Sequence, residues 1–119
     1  MPNRLTPLST TDDLDAALAA SAARPVLIFK HSATCGTSAM AAEEIGDLVA
    51  GAPLEADVYL LRIQAARAVS DEIARRLRVR HESPQVLLIQ GGQVVWSASH
   101  FRVTAAAVLA ALEAGVTHQ

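Results

Sequence analysis

Two apolar runs separated by a helical stretch constrain this chain more than any other feature: Pro25-Val26-Leu27-Ile28-Phe29, then Ala39 to Val49, then Asp57-Val58-Tyr59-Leu60-Leu61-Arg62-Ile63. The short runs read as buried strands, and Ala41, Ile45, Leu48 and Val49 recur at helical spacing on one face of the stretch between them. Strand, helix, strand in that order predicts a parallel pair joined by a right-handed crossover.

The remaining pattern extends this unit on both sides. Thr10 or Thr11 offers an N-cap, with Asp12, Asp13 and Asp15 placing negative charge in the first turn and Leu14, Ala17 and Leu18 forming an apolar stripe. Gly51-Ala52-Pro53 ends the second helix. Between Ala66 and Arg78, Val69, Ile73 and Leu77 recur every four residues, leaving Asp71, Glu72, Arg75 and Arg76 on a solvated face. Ser83-Pro84 then precedes an apolar strand from Gln85 to Gln90. Gly91-Gly92 supplies a tight turn into a partner strand over residues 93–97, which must be antiparallel to the first. Trp96 belongs to the core of this hairpin. Thr104 caps a last helix with Val108, Leu109, Leu112 and Val116 inward. The prediction is an α/β fold with a four-stranded mixed sheet flanked by helices. Residues 1–10 form an irregular lead-in, in which Arg4 to Leu8 can add an edge strand, and residues 11–119 form one domain.

The 119 residues are enough to bury roughly two thirds of the unfolded surface without a disulfide or metal staple. Aromatic residues make up only 3% against 51% apolar overall, so the core has to be built from Ala, Val, Leu and Ile. With a net charge of −2, and with Arg62, Arg67, Arg75, Arg76, Arg78 and Arg80 interleaved among Asp71, Glu72 and Glu82, there is no basic stripe for nucleic acid. No apolar stretch approaches the ~20 residues that span a bilayer, and the acidic N-terminal segment does not read as a secretory signal. The expectation is a soluble cytoplasmic protein that begins near Met1, in a compartment where an unpaired cysteine stays reduced.

Cys35 is the single cysteine, within Lys30-His31-Ser32-Ala33-Thr34-Cys35-Gly36-Thr37-Ser38. This is a strand-to-helix turn, where free backbone N–H groups and the positive end of the helix dipole favour thiolate over thiol. It also follows the carboxyl end of a strand, the usual place for a site in an open α/β sheet. Ser38 stands where a second sulfur would close an internal disulfide, so any disulfide here joins Cys35 to another molecule. Ser38 either donates a hydrogen bond to the thiolate or satisfies its own backbone as a first-turn residue. Lys30 and His31 either add positive potential near the sulfur or are solvated strand-end side chains. His81 and His100, taken with His31 and Cys35, match no compact metal motif, and no metal is expected.

The chain resembles the thioredoxin fold in its order of strand, Cys-x-x-Ser helix, strand, helix and Ser-Pro hairpin. Within that superfamily it resembles the YtxJ-type monothiol bacilliredoxins. The resemblance is carried by Phe29-Lys30-His31-Ser32 before Thr34-Cys35, by Ser38, by Val79-Arg80-His81-Glu82-Ser83-Pro84-Gln85-Val86-Leu87-Leu88, and by Val94-Val95-Trp96 through Ala98-Ser99-His100. It implies that Cys35 is the nucleophile and that Pro84 is the cis-proline facing it, with Ser83 presenting backbone N–H and C=O to an extended substrate. Thr34, Gly36 and Thr37 flank the substrate. It further implies removal of bacillithiol from bacillithiolated proteins, with bacillithiol as co-substrate, no bound cofactor and small thiols as partners.

Gly36-Thr37 departs from the Pro-Ile-like pair expected in that family, and Gly36 loosens the first helical turn. Cys35-Gly36-Thr37-Ser38 also resembles the Cys-Gly-Phe-Ser of monothiol glutaredoxins, which implies an iron–sulfur carrier as the alternative. A redox-inert adaptor that binds proteins along an 81–90 sheet edge is a third reading.

Overall fold

The computed structural model describes residues 3–34 and 36–117, with side chains through Ala114. The elements follow in the order β1 (Leu5–Pro7), α1 (Thr11–Ala20), β2 (Val26–His31), α2 (Gly36–Ala50), β3 (Asp57–Arg62), α3 (Arg67–Leu77), β4 (Gln85–Gln90), β5 (Gln93–Ser99), a single 3₁₀ turn at His100–Arg102, and α4 (Ala105–Thr117). The strands form one sheet in the order β1-β3-β2-β4-β5. β2 and β3 are parallel from Val26↔Asp57 to His31↔Arg62, while β4 runs antiparallel to both β2 and β5.

The sheet has five strands, not four. Leu5–Pro7 pairs with Val58–Leu60 and so orders the lead-in. A three-residue strand is too short to show a period, and Pro7 is tolerated because an edge strand can do without one ladder donor. β4 is not an edge: it is paired on both sides, so of residues 81–90 the stretch from Gln85 to Gln90 offers no free ladder for strand addition.

Successive side chains of a strand alternate between the two faces of a sheet, and β2 shows the consequence. Leu27 and Phe29 pack with Ala41, Ile45 and Leu48 of α2 and with Val108 and Leu112 of α4. Val26 and Ile28 pack on the opposite face with Leu14 and Ala17 of α1 and with Val69 and Ile73 of α3. Each such aliphatic burial contributes about 1.5–3 kcal/mol, and two helical layers of them make the aromatic-poor core sufficient. Trp96 is half-buried against the α2/α4 core. Leu109 departs from expectation, at 43% exposed. Val108 and Leu112 lie one turn apart on the buried face of α4, and Leu109, a further 100° around the helix, faces away. The side chain of Val116 lies outside the described residues.

Local caps fix the ends of the elements. The Thr10 hydroxyl accepts from the Asp13 N–H at 3.0 Å and the Asp13 carboxylate accepts from the Thr10 N–H at 3.1 Å, a reciprocal capping box on α1. Thr104 caps α4 through the Ala107 N–H, and the Glu44 carboxylate of α2 accepts from Ala105 N–H.

At the pole where β2 begins and β4 ends, Gly91 (φ 60°) and Gly92 (φ 76°) adopt the left-handed turn that closes a two-residue hairpin. Their N–H groups donate to the Ser21 carbonyl and hydroxyl at 2.9 and 2.8 Å. At the same pole the Asn3 side chain donates to the carbonyls of Val49 and Ala52 and accepts from Leu54 N–H. Along β5 the register skips Val95, between Leu88↔Trp96 and Ile89↔Val94, a bulge in the outermost strand. No helix among the described residues is long and apolar enough to cross a membrane.

Candidate functional site

At the opposite pole, the carboxyl end of β2, the start of α2, the loop after β3 and the turn before β4 come together. Cys35 lies outside the described residues. Its sequence neighbours Thr34 and Gly36 are exposed and Thr37 is half-buried. Ser38, three positions on, is completely buried. Its hydroxyl accepts from the Ser32 N–H at 3.2 Å and stands 3.5 Å from the Ser83 hydroxyl. One side chain thus links the end of β2, the first turn of α2 and the turn before β4. The Ser83–Pro84 peptide is cis. Pro84 is buried, and its carbonyl accepts from the His100 N–H at 2.9 Å.

Gln64 was not anticipated. Its carboxamide oxygen accepts from Ala33 N–H at 3.2 Å, and its nitrogen donates to the hydroxyls of Ser32 at 2.8 Å and Thr34 at 3.3 Å. It holds all three residues that precede Cys35 in the chain. The available signal was topological: the loop following a parallel strand ends on the same side of the sheet as the loop following its neighbour.

Lys30 and His31 separate across the sheet. Lys30 shares its face with Val26 and Ile28, toward α3, and is fully buried, so the solvated reading does not hold. Its ammonium lies 2.7 Å from His81 Nδ1. Burial pushes its pKa down to about 8, opposed by the negative charge of Asp71. His81 is an exposed residue, but the pKa of its ring is lowered as well, by partial loss of solvent first and then by the Lys30 charge, against Asp71 and Glu82. His31 lies on the α2 face with Phe29, ring centroids 5.7 Å apart, and its buried Nδ1 has no hydrogen-bond partner among the described residues. His100 instead pairs with Glu82 at 2.9 Å. Among the described residues no three His, Cys, Asp or Glu side chains converge as a cation site.

The chain and its fold have counterparts among known proteins. The family model of the monothiol bacilliredoxin BrxC matches residues 6–108. A thioredoxin-fold protein provisionally named an oxidoreductase is 31% identical, with a TM-score of 0.78 over 92% of this chain and 93% of that one. Thioredoxin from Malassezia sympodialis superposes with a TM-score of 0.76 at 14% identity, covering 95% of this chain and 92% of that one. Spinach chloroplast thioredoxin f gives 0.74 at 17% identity over 95% and 87%. The last two similarities establish the fold alone. With the fold established, a single cysteine in the sequence, and a family match over most of the chain, this protein belongs to the monothiol bacilliredoxins and has a monothiol redox function.

Proposed function

We propose that the chain removes a low-molecular-weight thiol, bacillithiol in the first place, from protein mixed disulfides through Cys35. The observation that carries this reading is the junction made by Ser38: a buried hydroxyl at the resolving position of a Cys-x-x-Ser segment, in contact with the Ser83 turn, within a monothiol family. A serine there cannot resolve a mixed disulfide, so the chemistry needs two intermolecular exchanges.

In the first, the Cys35 thiolate attacks the small-thiol sulfur of the mixed disulfide. The bond from Cys35 to the small thiol forms as the old S–S bond breaks, and the client leaves as a thiolate that takes a proton. In the second, the thiolate of another small thiol attacks that adduct, releasing a symmetrical small-thiol disulfide and restoring the Cys35 thiolate. The net reaction consumes one free small thiol per client and needs no bound cofactor. The segment Thr34, Gly36 and Thr37 and the turn at Ser83 and Pro84 form the two walls between which the substrate disulfide lies. Ser38 steadies the junction between them.

The test is intact mass after incubating the reduced protein with bacillithiol disulfide or glutathione disulfide, followed by turnover of a bacillithiolated client. The expected result is one adduct per chain, absent in Cys35→Ser, removed fastest by bacillithiol, with turnover first order in added thiol. Many turnovers per chain with no free thiol would overturn the monothiol mechanism. A stable coloured dimer on reconstitution with iron and glutathione, without adduct formation, would put the iron–sulfur carrier first. Slow alkylation of Cys35 that titrates at or above the ~8.5 of a free thiol would favour a redox-inert adaptor, one that binds its partner elsewhere than along the doubly paired β4.

A further inference from the structure

Lys30 is the one fully buried ammonium among the described residues, and the redox chemistry above makes no use of it. It sits in the central strand, on the sheet face away from α2. Its cross-strand partner is Gln85, also buried. Partners directly opposite in a sheet emerge on the same face, and both of these polar side chains are engaged with the turn that carries Ser83 and Pro84. The Lys30 ammonium donates to His81 Nδ1 at 2.7 Å, and the Gln85 carboxamide donates to the Arg80 carbonyl at 3.0 Å.

A buried polar group is retained at a cost unless it is hydrogen-bonded. Here the cost is concentrated under the turn: His81 is the only hydrogen-bond partner of the Lys30 ammonium among the described residues, and the Gln85 carboxamide oxygen has none.

The geometry points to Lys30 and His81 as a positioning pair for thiol exchange: the buried ammonium clamps the imidazole and thereby sets the position of the Ser83–Pro84 turn against Ser38. This inference rests on the reading of Cys35 as the exchanging thiol at that turn. The clamp has a defined protonation state. Lys30 donates, so Nδ1 of His81 must accept and the ring must be neutral, its proton on Nε2. The Ser70 hydroxyl of α3 lies 3.3 Å from the same Nδ1. The charged neighbours are Lys30 from β2, Asp71 from α3 and Glu82 from the turn itself, and Glu82 is engaged with His100. Protonating Nδ1 replaces an acceptor by a donor facing an ammonium. The clamp then opens, and the turn keeps its bonds through Gln85 and His100 but loses the one that fixes it from Lys30.

The experiment compares His81→Ala, His81→Asn and Lys30→Met with the wild type in reduction of a bacillithiolated client, across pH 5 to 8. Cys35 alkylation by iodoacetamide is run in parallel to report thiolate formation alone. A side-chain carbonyl in His81→Asn can accept from Lys30 but does not titrate. The expected result is a rise in KM for the client of about tenfold in His81→Ala, as for a displaced positioning group, with alkylation unchanged. His81→Asn should recover most of that loss and should lack the part of the acid decline that exceeds the alkylation profile in the wild type. Lys30→Met should also raise KM, and serves as the second probe if His81→Ala does not fold. Wild-type client KM in both His81→Ala and Lys30→Met, or an acid decline in His81→Asn identical to that of the wild type, overturns the pairing. An inactive wild type overturns the thiol-exchange reading instead, so the two failures are distinguishable.

Discussion

The Gln64 carboxamide nitrogen donates to the Ser32 hydroxyl at 2.8 Å, joining the loop after β3 to the segment that leads into Cys35. Gln64 is exposed, so its three hydrogen bonds compete with water and add little to global stability. Their effect is to order residues 32–34. Gln64→Ala should leave the melting temperature within about 2 °C, consistent with surface substitutions of at most about 0.5 kcal/mol, and should lower kcat/KM for client disulfides several-fold. Unchanged kinetics would mean that the clasp is incidental.

Ser38 is a different case because it is buried. Ser38→Ala deprives the Ser32 N–H of its acceptor and the Ser83 hydroxyl of its neighbour. Loss of such a bond costs about 1 kcal/mol, more if the donor stays dry. Chemical denaturation should register that loss. Exchange should slow without being abolished, since the proposed nucleophile remains; complete inactivation of a folded variant would assign Ser38 a chemical role of its own.

Lys30 makes a prediction about stability against pH. Its folded pKa, about 8, lies below the ordinary 10.5. Between those values the unfolded chain binds more protons than the folded one, so stability must rise with pH across that window. His81, also lowered from its ordinary 6.5, acts in the same sense at lower pH: stability falls as pH drops below 6.5 toward the folded value. Urea midpoints at pH 7.5 and pH 10 should show the increase in the wild type and not in Lys30→Met. At pH 7 that variant should be at least as stable, because methionine fills the same space without a charge to desolvate.

The capping box of α1 provides a control remote from the site. Thr10→Ala removes the acceptor for the Asp13 N–H, which should cost about 1 kcal/mol. For a domain of this size that is a fall of roughly 4 °C in Tm, with client turnover unaltered. A change in turnover would show that α1 communicates with the opposite end of the sheet.

The β2–α2–β3 crossover, the hairpin and the amphipathic α3 were legible because each has a period long enough to count. β1 was only half legible, since three residues ending in proline carry no period. The position of β4 inside the sheet was not visible locally: its second neighbour, β2, is more than fifty residues away in the chain. Leu109 was misplaced because an Ala-rich helix such as α4 offers several apolar faces and the packing partner chooses among them. Around the site, Ser38, Ser83 and Pro84 could be located from their spacing and from family resemblance. Gln64 could not, because a lone glutamine in a loop has no local signature. Lys30 is open from sequence between a charge near the sulfur and a solvated side chain, since lysine is rarely buried; only the parity of β2, with Val26 and Ile28 committed to the α3 face, reveals where its side chain goes.

The two clasps at the far pole, Ser21 on the Gly91-Gly92 turn and Asn3 on the end of α2, have counterparts at the opposite end of the sheet. Chain ends and loops that would otherwise fray are fastened there by side-chain and backbone hydrogen bonds. At the other pole the loops are joined through a few serine, threonine and glutamine side chains. Both ends of the sheet thus carry loops anchored by side chains that stand outside its ladder, and the same five strands bear both sets of anchors.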